Sequence, residues 1–246
     1  RVCAVIPPIA VYGSCLSIRR FSVRPISLND FGGDATVALL TQLVHRHCNV
    51  LVTGAASTGK TTLLNALCAH IPAHERVITV EDTAELQLQA SHVVRLEARP
   101  PTAEGVAGIS ISELLRTALR MRPDRFVVGE VRGAEVVDML AAMNTGHHGS
   151  FATCHANSAD DALLRLESLM LQHCGQWPRE AIAQHICAAI DVVISVGRHA
   201  DGSRSIIEIN EVSTTPGAPC RPLLRQDICG GVRSELRIGQ LTRARS

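Results

Sequence analysis

One eight-residue segment restricts the fold of this chain more than any other feature. It reads Gly54-Ala55-Ala56-Ser57-Thr58-Gly59-Lys60-Thr61 and matches the pattern G-x-x-x-x-G-K-[ST] at every fixed position. A short apolar run, 49–53, precedes it, and a helical pattern, 61–70, follows it. A glycine-rich turn between a strand and a helix directs backbone amides and the positive end of the helix dipole toward a phosphate group. The sequence therefore predicts a phosphate-binding loop in an α/β domain.

The loop also contains the chain's single lysine. Of the 24 Lys and Arg residues, only Lys60 is a lysine. Its ammonium is a flexible point charge, which suits the β- and γ-phosphates better than the rigid fork of arginine. We expect the loop residues and Thr62 to bind ATP, with the hydroxyl of Thr61 as a ligand of Mg²⁺.

Composition excludes several other classes of protein. The 246 residues are 46% hydrophobic with a net charge of +1, which is typical of a globular protein. No apolar run approaches the 18 residues of a transmembrane helix, and no signal peptide is recognisable, so we expect a cytoplasmic location. The nine cysteines have no C-x-x-C spacing and are expected to be reduced. The near-neutral charge and few aromatic residues argue against a nucleic-acid partner.

The remaining pattern alternates strands with helices. Apolar strands are predicted at 76–80, 126–128 and 150–153, and the S-x-x-E spacing of Ser110 and Glu113 marks a helix start. Such alternation predicts an α/β fold with a mostly parallel sheet, whose ligands bind at the carboxyl ends of the strands. The predicted boundaries divide the chain into an N-terminal remnant, a linker, a nucleotide-binding domain and a C-terminal tail: 1–24, 25–34, 35–212 and 213–246.

Acidic residues follow two of the predicted core strands. Glu130 ends the run 125–130, although Gly129 stands where an aspartate commonly precedes the glutamate. We expect Glu130 to position the attacking water and to approach Mg²⁺ through a bound water. Glu81 follows another core strand and is expected at the same sheet edge. Its neighbour Asp82 alternatively caps a helix-like segment, 83–88.

Three histidines lie close to the last core strand. His155 follows it directly and is interpreted as a γ-phosphate sensor, whereas His147 and His148 are placed in a turn. An alternative is a zinc site formed by Cys154, His155 and His147, although their spacing matches no recognised zinc motif. A third interpretation assigns these histidines a structural role only.

Taken together, these segments resemble a known family. The segments are Val2-x-x-Val5-Ile6-Pro7-Pro8, Leu16-Ser17-Ile18-Arg19-Arg20-Phe21, the phosphate loop, Ile78 to Leu86, Leu119 to Arg125 and Thr153-Cys154-His155-Ala156-Asn157. Over residues 1–212 the chain is similar to the type II/type IV secretion ATPases, and within them to the CpaF-like branch that drives tight-adherence (Flp-type) pilus assembly.

The resemblance implies a RecA-like ATPase domain preceded by a smaller α+β N-terminal domain, in a homohexameric ring that binds ATP between the two domains. It places Glu81 in an acidic box, Glu130 in an atypical Walker B strand and His155 in a histidine box. Arg122 matches an arginine directed toward the nucleotide, and Arg1 and Arg19 match arginines that the N-terminal domain offers to the phosphates. Since only the last strands of that domain precede the linker, we expect the sequence to begin inside it.

Three hypotheses for the function follow. The first is an ATPase motor for pilus assembly or secretion, peripheral at the inner face of the cytoplasmic membrane, with inner-membrane platform proteins as partners. The second is a nucleotide-binding assembly or regulatory module without turnover. The third, a conjugation-type secretion ATPase or a nucleic-acid motor, shares the phosphate loop.

Overall fold

The computed structural model describes residues 2–18, 26–199, 201–229, 232–237 and 239–243. Its strands are β1 (Val2–Val5), β2 (Cys15–Ile18), β3 (Val50–Thr53), β4 (Val77–Glu81), β5 (Val93–Glu97), β6 (Arg125–Val128), β7 (Phe151–Cys154), β8 (Val192–Arg198), β9 (Arg204–Glu211), β10 (Arg221–Cys229) and β11 (Val232–Arg237). Nine of them form one sheet with the order β11-β10-β9-β8-β3-β7-β6-β4-β5. The six strands from β8 to β5 are parallel, which confirms the predicted fold class.

Helices cover both faces of this sheet. They are α1 (Asp34–His45), α2 (Lys60–Cys68), α3 (Ile111–Leu119), α4 (Glu135–Asn144), α5 (Ala159–His173) and α6 (Arg179–Ala189). Helices α1 and α2 share one buried cluster with Val50 and Val52, whereas α3 to α6 share another with Leu51. Because both faces are covered, every residue of β3, β6 and β7 is buried, which explains their apolar runs.

The sheet extends beyond the predicted domain end at residue 212. Strands β10 and β11 add to it in antiparallel fashion, next to the β8–β9 hairpin. The segment after β11 returns to the sheet, where the carboxylate of Glu211 accepts hydrogen bonds from the amides of Thr242 and Arg243, each at 2.7 Å. The described residues between 213 and 243 are therefore part of the same unit rather than a separate tail, because they supply edge strands and a buried Leu241.

The predicted linker is packed against the sheet from residue 26 onward. A 3-10 turn, Leu28–Asp30, interrupts it, and Leu28 and Phe31 are buried in the same cluster as α1 and α2. The carbonyl of Phe31 accepts hydrogen bonds from the Ile206 amide and the Gln226 side chain, at 3.4 and 3.3 Å. This segment is thus fixed to the domain rather than a spacer. Before it, β1 and β2 form a separate antiparallel pair.

Two further observations concern single segments. Residues 83–88 form no helix, so the capping role considered for Asp82 is wrong. The amides of Glu85 and Leu86 instead bind the side chain of Glu81, as described below. In the described ranges, no helix combines the length and apolar character that crossing a bilayer demands.

Candidate functional site

The glycine-rich loop lies between β3 and α2, as predicted. Gly54 leaves the sheet with φ +154°, and a Cβ at that position would meet the Thr58 hydroxyl at 2.6 Å and the backbone carbonyl of Val196. Gly59 starts α2 with φ +100°, in the left-handed region. The Thr58 hydroxyl donates to the Ala55 carbonyl at 2.9 Å. Glycine is needed at both ends of the loop because the backbone has a positive φ at Gly54 and Gly59, and a side chain at Gly54 would also clash with its neighbours.

Lys60 is held inside this loop. Its ammonium donates to the carbonyls of Gly54 and Ala55, both at 2.8 Å, and only 7% of the residue is exposed. Thr61 and Thr62 follow in the first turn of α2, half-buried. The first amides of α2 and the Lys60 charge therefore meet at one point, which is the arrangement that binds phosphate at a helix N-terminus.

Three other predicted residues lie at the same edge of the sheet. Strands β3, β4, β6 and β7 are parallel, so their carboxyl ends meet there. The loop follows β3, Glu81 ends β4, Glu130 lies two residues after β6, and His155 follows β7. The structure thus gathers the loop, two carboxylates and a histidine that are separated by up to 101 residues in sequence.

Glu130 is held by two side chains, those of His155 and Arg132. One carboxylate oxygen binds Nδ1 of His155 and the other accepts a hydrogen bond from the Arg132 guanidinium. Burial alone would raise the pKa of Glu130, but the hydrogen bond from Arg132 and the charge of His155 outweigh it, so the pKa lies below its usual value. Glu130 is therefore ionised at neutral pH. Arg132 was not among the predicted site residues, although it lies only two residues from Glu130 in the sequence.

Glu81 has the opposite environment. It is 2% exposed, and its Oε1 accepts hydrogen bonds from the amides of Glu85 and Leu86 at 2.9 and 2.8 Å. Its Oε2 is buried without a hydrogen-bond partner among the described residues. Burial raises the pKa of Glu81, and the two backbone hydrogen bonds only partly offset that effect.

Gly129 makes room for Glu81. A Cβ on Gly129 would lie 2.9 Å from Cγ of Glu81, closer than non-bonded carbons approach. The backbone of Gly129 is fixed as well, because its amide donates to Val80 and its carbonyl accepts from the Thr153 hydroxyl at 2.6 Å. An aspartate at this position would displace Glu81. The departure from the common Walker B pattern therefore has a steric reason in this chain.

The donors at this edge fit Mg²⁺. Hard divalent cations prefer oxygen ligands, and Mg²⁺ commonly uses one or two carboxylates together with substrate phosphates and water. The Thr61 hydroxyl, the Glu130 carboxylate and the unpartnered Oε2 of Glu81 are oxygens of this kind. Oε2 of Glu81 in particular is a buried acceptor for which the described residues supply no donor.

The zinc alternative does not fit the structure. His147 precedes β7 and His155 follows it, so the two imidazoles lie at opposite ends of that strand. Burial raises the pKa of the Cys154 thiol to about 11. Across the described ranges, no three His, Cys, Asp or Glu side chains come together as a metal site. His147 packs its ring 6.4 Å from that of Phe126, which is a structural role.

The predicted arginines do not join this cluster within the described chain. Arg122 has a left-handed backbone, with φ +55°, and precedes β6, at the amino edge of the sheet. Arg1 and Arg19 lie outside the described residues. A different arginine does reach the loop, because Cδ of Arg204 lies 3.0 Å from the position of a Cβ on Gly59. Sequence reasoning missed it, since 145 residues separate it from the loop.

Comparison with known proteins gives consistent matches. The family described as "Type II/IV secretion system protein" matches residues 1–213. The type IV secretion system protein PtlH of Bordetella pertussis is 43% identical over 165 residues, which are 65% of this chain and 49% of the relative. The conjugal transfer protein TrbB of Rhizobium radiobacter is 35% identical over 208 residues, 81% of this chain and 61% of the relative. The chain thus spans about half to three fifths of the length of these relatives.

Two solved structures are similar. One is the VirB11 ATPase of the Brucella suis type IV secretion system in complex with sulphate, with TM-score 0.66 and 28% identity over 85% of this chain and 73% of that one. The other is the pilus retraction motor PilT with bound ADP, with TM-score 0.64 and 26% identity over 82% of this chain and 57% of that one.

Proposed function

Because the chain belongs to the type II/IV secretion system protein family, we propose that it hydrolyses ATP to power a secretion or pilus machine. One observation carries this proposal: the Lys60 loop, Glu81 and the Glu130–His155 pair meet at one sheet edge. A phosphate site beside a group that can position water is the arrangement that phosphoanhydride hydrolysis uses. The VirB11 ATPase and the ADP-bound PilT motor share this fold.

The residues take separate roles in this proposal. Residues 54–61 and Thr62 bind the phosphates, and Lys60 exchanges its bonds to the Gly54 and Ala55 carbonyls for phosphate oxygens. Glu130 orients the attacking water, and His155, which touches it, senses the γ-phosphate. Thr61 and Glu130, the latter through a bound water, would hold Mg²⁺, which neutralises phosphate charge when bound. Oε2 of Glu81 is available as an acceptor for the water or its proton.

The proposed assembly is a homohexameric ring. Arg122 lies at the opposite sheet edge from Lys60, so a nucleotide contact by Arg122 requires a neighbouring subunit. Arg1 and Arg19 are proposed to contact the phosphates from the N-terminal domain, as the family resemblance implies. Loss of the γ-phosphate would then move one rigid domain relative to another.

The proposed setting is the cytoplasmic face of the inner membrane, where platform proteins of the machine are the partners. The relatives include a type IV secretion protein, a conjugal transfer protein and a pilus retraction motor. These names support a secretion or pilus motor. Tight-adherence pilus assembly is the specific version that we propose, and conjugation-type secretion is the alternative.

Two substitutions test the proposal in the full-length protein. Lys60→Ala should abolish both ATP binding and phosphate release. Glu130→Gln should bind ATP with near-normal affinity and release phosphate at least about 100-fold more slowly, since general acid–base and water-positioning groups contribute factors of that order. Glu97→Gln, which alters an exposed carboxylate at the end of edge strand β5, is the matched control and should behave as wild type. Normal turnover by Glu130→Gln would contradict the assignment.

One observation favours the second candidate, a nucleotide-binding module without turnover. Both oxygens of Glu130 are already engaged, by His155 and by Arg132. If this arrangement persists with ATP bound, fewer acceptor sites of the carboxylate remain for water. Tight ATP binding without phosphate release, unchanged by assembly or by platform proteins, would establish the module and exclude the motor.

A further inference from the structure

Arg204 is the first residue of β9 and packs against the phosphate-binding loop. A Cβ on Gly59 would lie 3.0 Å from its Cδ and 3.7 Å from its Nε. The ring atom Cε1 of Phe31 lies 3.8 Å from the same Cβ position. Gly59 therefore lies between an aromatic ring and an arginine stem. The Nε atom, where the guanidinium group begins, lies beside Gly59, which directly precedes Lys60 in the sequence.

The position of Arg204 is fixed by the sheet. Thr53, the last residue of β3, pairs with Ser195, so β8 continues for three more residues beside the loop. Across the hairpin, Arg198 pairs with Arg204. The loop's first glycine also packs on this hairpin, because a Cβ on Gly54 would strike the Val196 carbonyl. Arg204 is thus placed by backbone pairing and not by a mobile loop.

The charge of Arg204 has no counterion within the described part of the chain. No described carboxylate lies within ion-pair distance of it, whereas Arg132 and Arg221 pair with Glu130 and Glu211. Arg204 is exposed, and its stem lies instead beside Gly59, the N-cap of α2, at the positive end of that helix. A guanidinium beside the positive end of a helix favours an anion at that place.

From this geometry we infer that Arg204 is a phosphate-binding residue, which contacts the phosphate chain of the nucleotide from the β8–β9 hairpin. This inference rests on the proposed function, because it names a further ligand of the same nucleotide. A guanidinium donates paired hydrogen bonds to phosphate oxygens, and it would complement the point charge of Lys60.

The test is ADP affinity in the full-length protein, measured for wild type, Arg204→Ala and Arg204→Lys. We expect Arg204→Ala to bind ADP about tenfold more weakly, equivalent to about 1.4 kcal/mol, and Arg204→Lys to be intermediate. Arg198→Ala is the matched control: it removes the same charge from the same hairpin, but its guanidinium lies near Gly202 at the hairpin tip. It should bind ADP as wild type does.

Ionic strength separates a phosphate contact from other roles. Salt weakens charge interactions, so the ADP affinity of Arg204→Ala should fall less steeply with salt than that of wild type. Equal affinity of Arg204→Ala and wild type would overturn the inference and leave the proposed function intact. A loss of affinity with an unchanged salt dependence would assign Arg204 to base stacking or loop support, and would also overturn it. Failure of wild type to bind ADP or ATP would instead refute the proposed function.

Discussion

At the scale of single residues, Glu81 and Glu130 lie at the same edge of the sheet, but their environments shift the pKa of the two carboxyl groups in opposite directions. Burial raises the pKa of Glu81, while Arg132 and His155 hold the pKa of Glu130 low. Paired acids with opposite shifts are a common basis for dividing acid and base roles. Glu130 is suited to remain an ionised group that orients water, and Glu81 is better suited to accept a proton.

The raised pKa of Glu81 predicts how stability depends on pH. A carboxyl whose folded pKa is raised stabilises the fold below its unfolded pKa, and that contribution is lost as pH rises through the folded value. Glutamine imitates the protonated form and does not titrate. Without nucleotide, Glu81→Gln should therefore gain Tm relative to wild type as pH increases from about 4.5 to 8. Thermal unfolding at a series of pH values measures this, with Glu97→Gln as control. A relative gain by wild type at high pH would show that the Glu81 carboxylate is stabilised.

A second residue-scale prediction concerns Gly129. Adding a single methyl group there places carbon 2.9 Å from Cγ of Glu81, so Gly129→Ala should displace that side chain. We expect phosphate release to fall by about tenfold or more, because shifts of about 1 Å in positioning groups have effects of that size or larger. ATP affinity should remain normal, since the loop of residues 54–61 is untouched.

The control for this substitution lies in the same segment as Gly129, between β6 and α4. Gly133→Ala would meet only the flexible end of the Glu135 side chain, at 3.3 Å, and should turn over ATP normally. If both alanine variants lose activity equally, the effect belongs to the loop in general, and Glu81 is not the group that Gly129 accommodates.

At the scale of elements, a buried ion pair joins β6 to its neighbours. The Arg125 guanidinium is fully buried and binds both carboxylate oxygens of Glu75, together with the carbonyls of Val44 at 3.0 Å and Gly149 at 3.3 Å. These partners belong to the turn before β4, to α1 and to the turn before β7. Arg125 therefore holds together the amino edge of the sheet.

Glu75→Ala should be strongly destabilising, because it leaves this guanidinium buried without its counter-charge. Removing one partner of a buried pair typically costs about 3–5 kcal/mol, which urea denaturation would detect as a lower midpoint. Arg116→Ala breaks the exposed pair with Asp138 and should change the midpoint much less, since water screens such pairs. Similar midpoint shifts for the two variants would mean that water reaches Arg125.

The elements also show what the sequence could predict. Local signals identified them well: Ser110 caps α3 as its spacing from Glu113 predicts, and the fully buried strands appear as apolar runs. Segment 83–88 was misjudged because its amides bind a tertiary partner, the Glu81 side chain. The Arg125–Glu75 pair and the Arg204–Gly59 contact join residues 50 and 145 positions apart, which no local pattern encodes.

At the scale of the whole molecule, the two edges of the sheet have different roles. The carboxyl edge holds the phosphate loop, Glu81, Glu130 and His155. The amino edge holds Arg122, and the four residues of β6 alone separate the two edges by about 13 Å. One chain therefore does not bring Arg122 to its own Lys60. In a ring of identical subunits, however, the amino edge of one subunit can face the carboxyl edge of the next.

A mixing experiment tests this shared site. Lys60→Ala subunits lack a working loop but keep Arg122, and Arg122→Ala subunits have the reverse defect, so each variant alone should release little phosphate. Co-assembled rings should regain activity wherever an Arg122→Ala subunit, with its intact loop, receives Arg122 from a Lys60→Ala neighbour. For random mixing at equal amounts, about one interface in four combines the two intact parts, so about a quarter of wild-type turnover is expected. Continued inactivity of rings shown to contain both variants would mean that Arg122 acts within its own subunit, and normal activity of Arg122→Ala alone would remove it from the site.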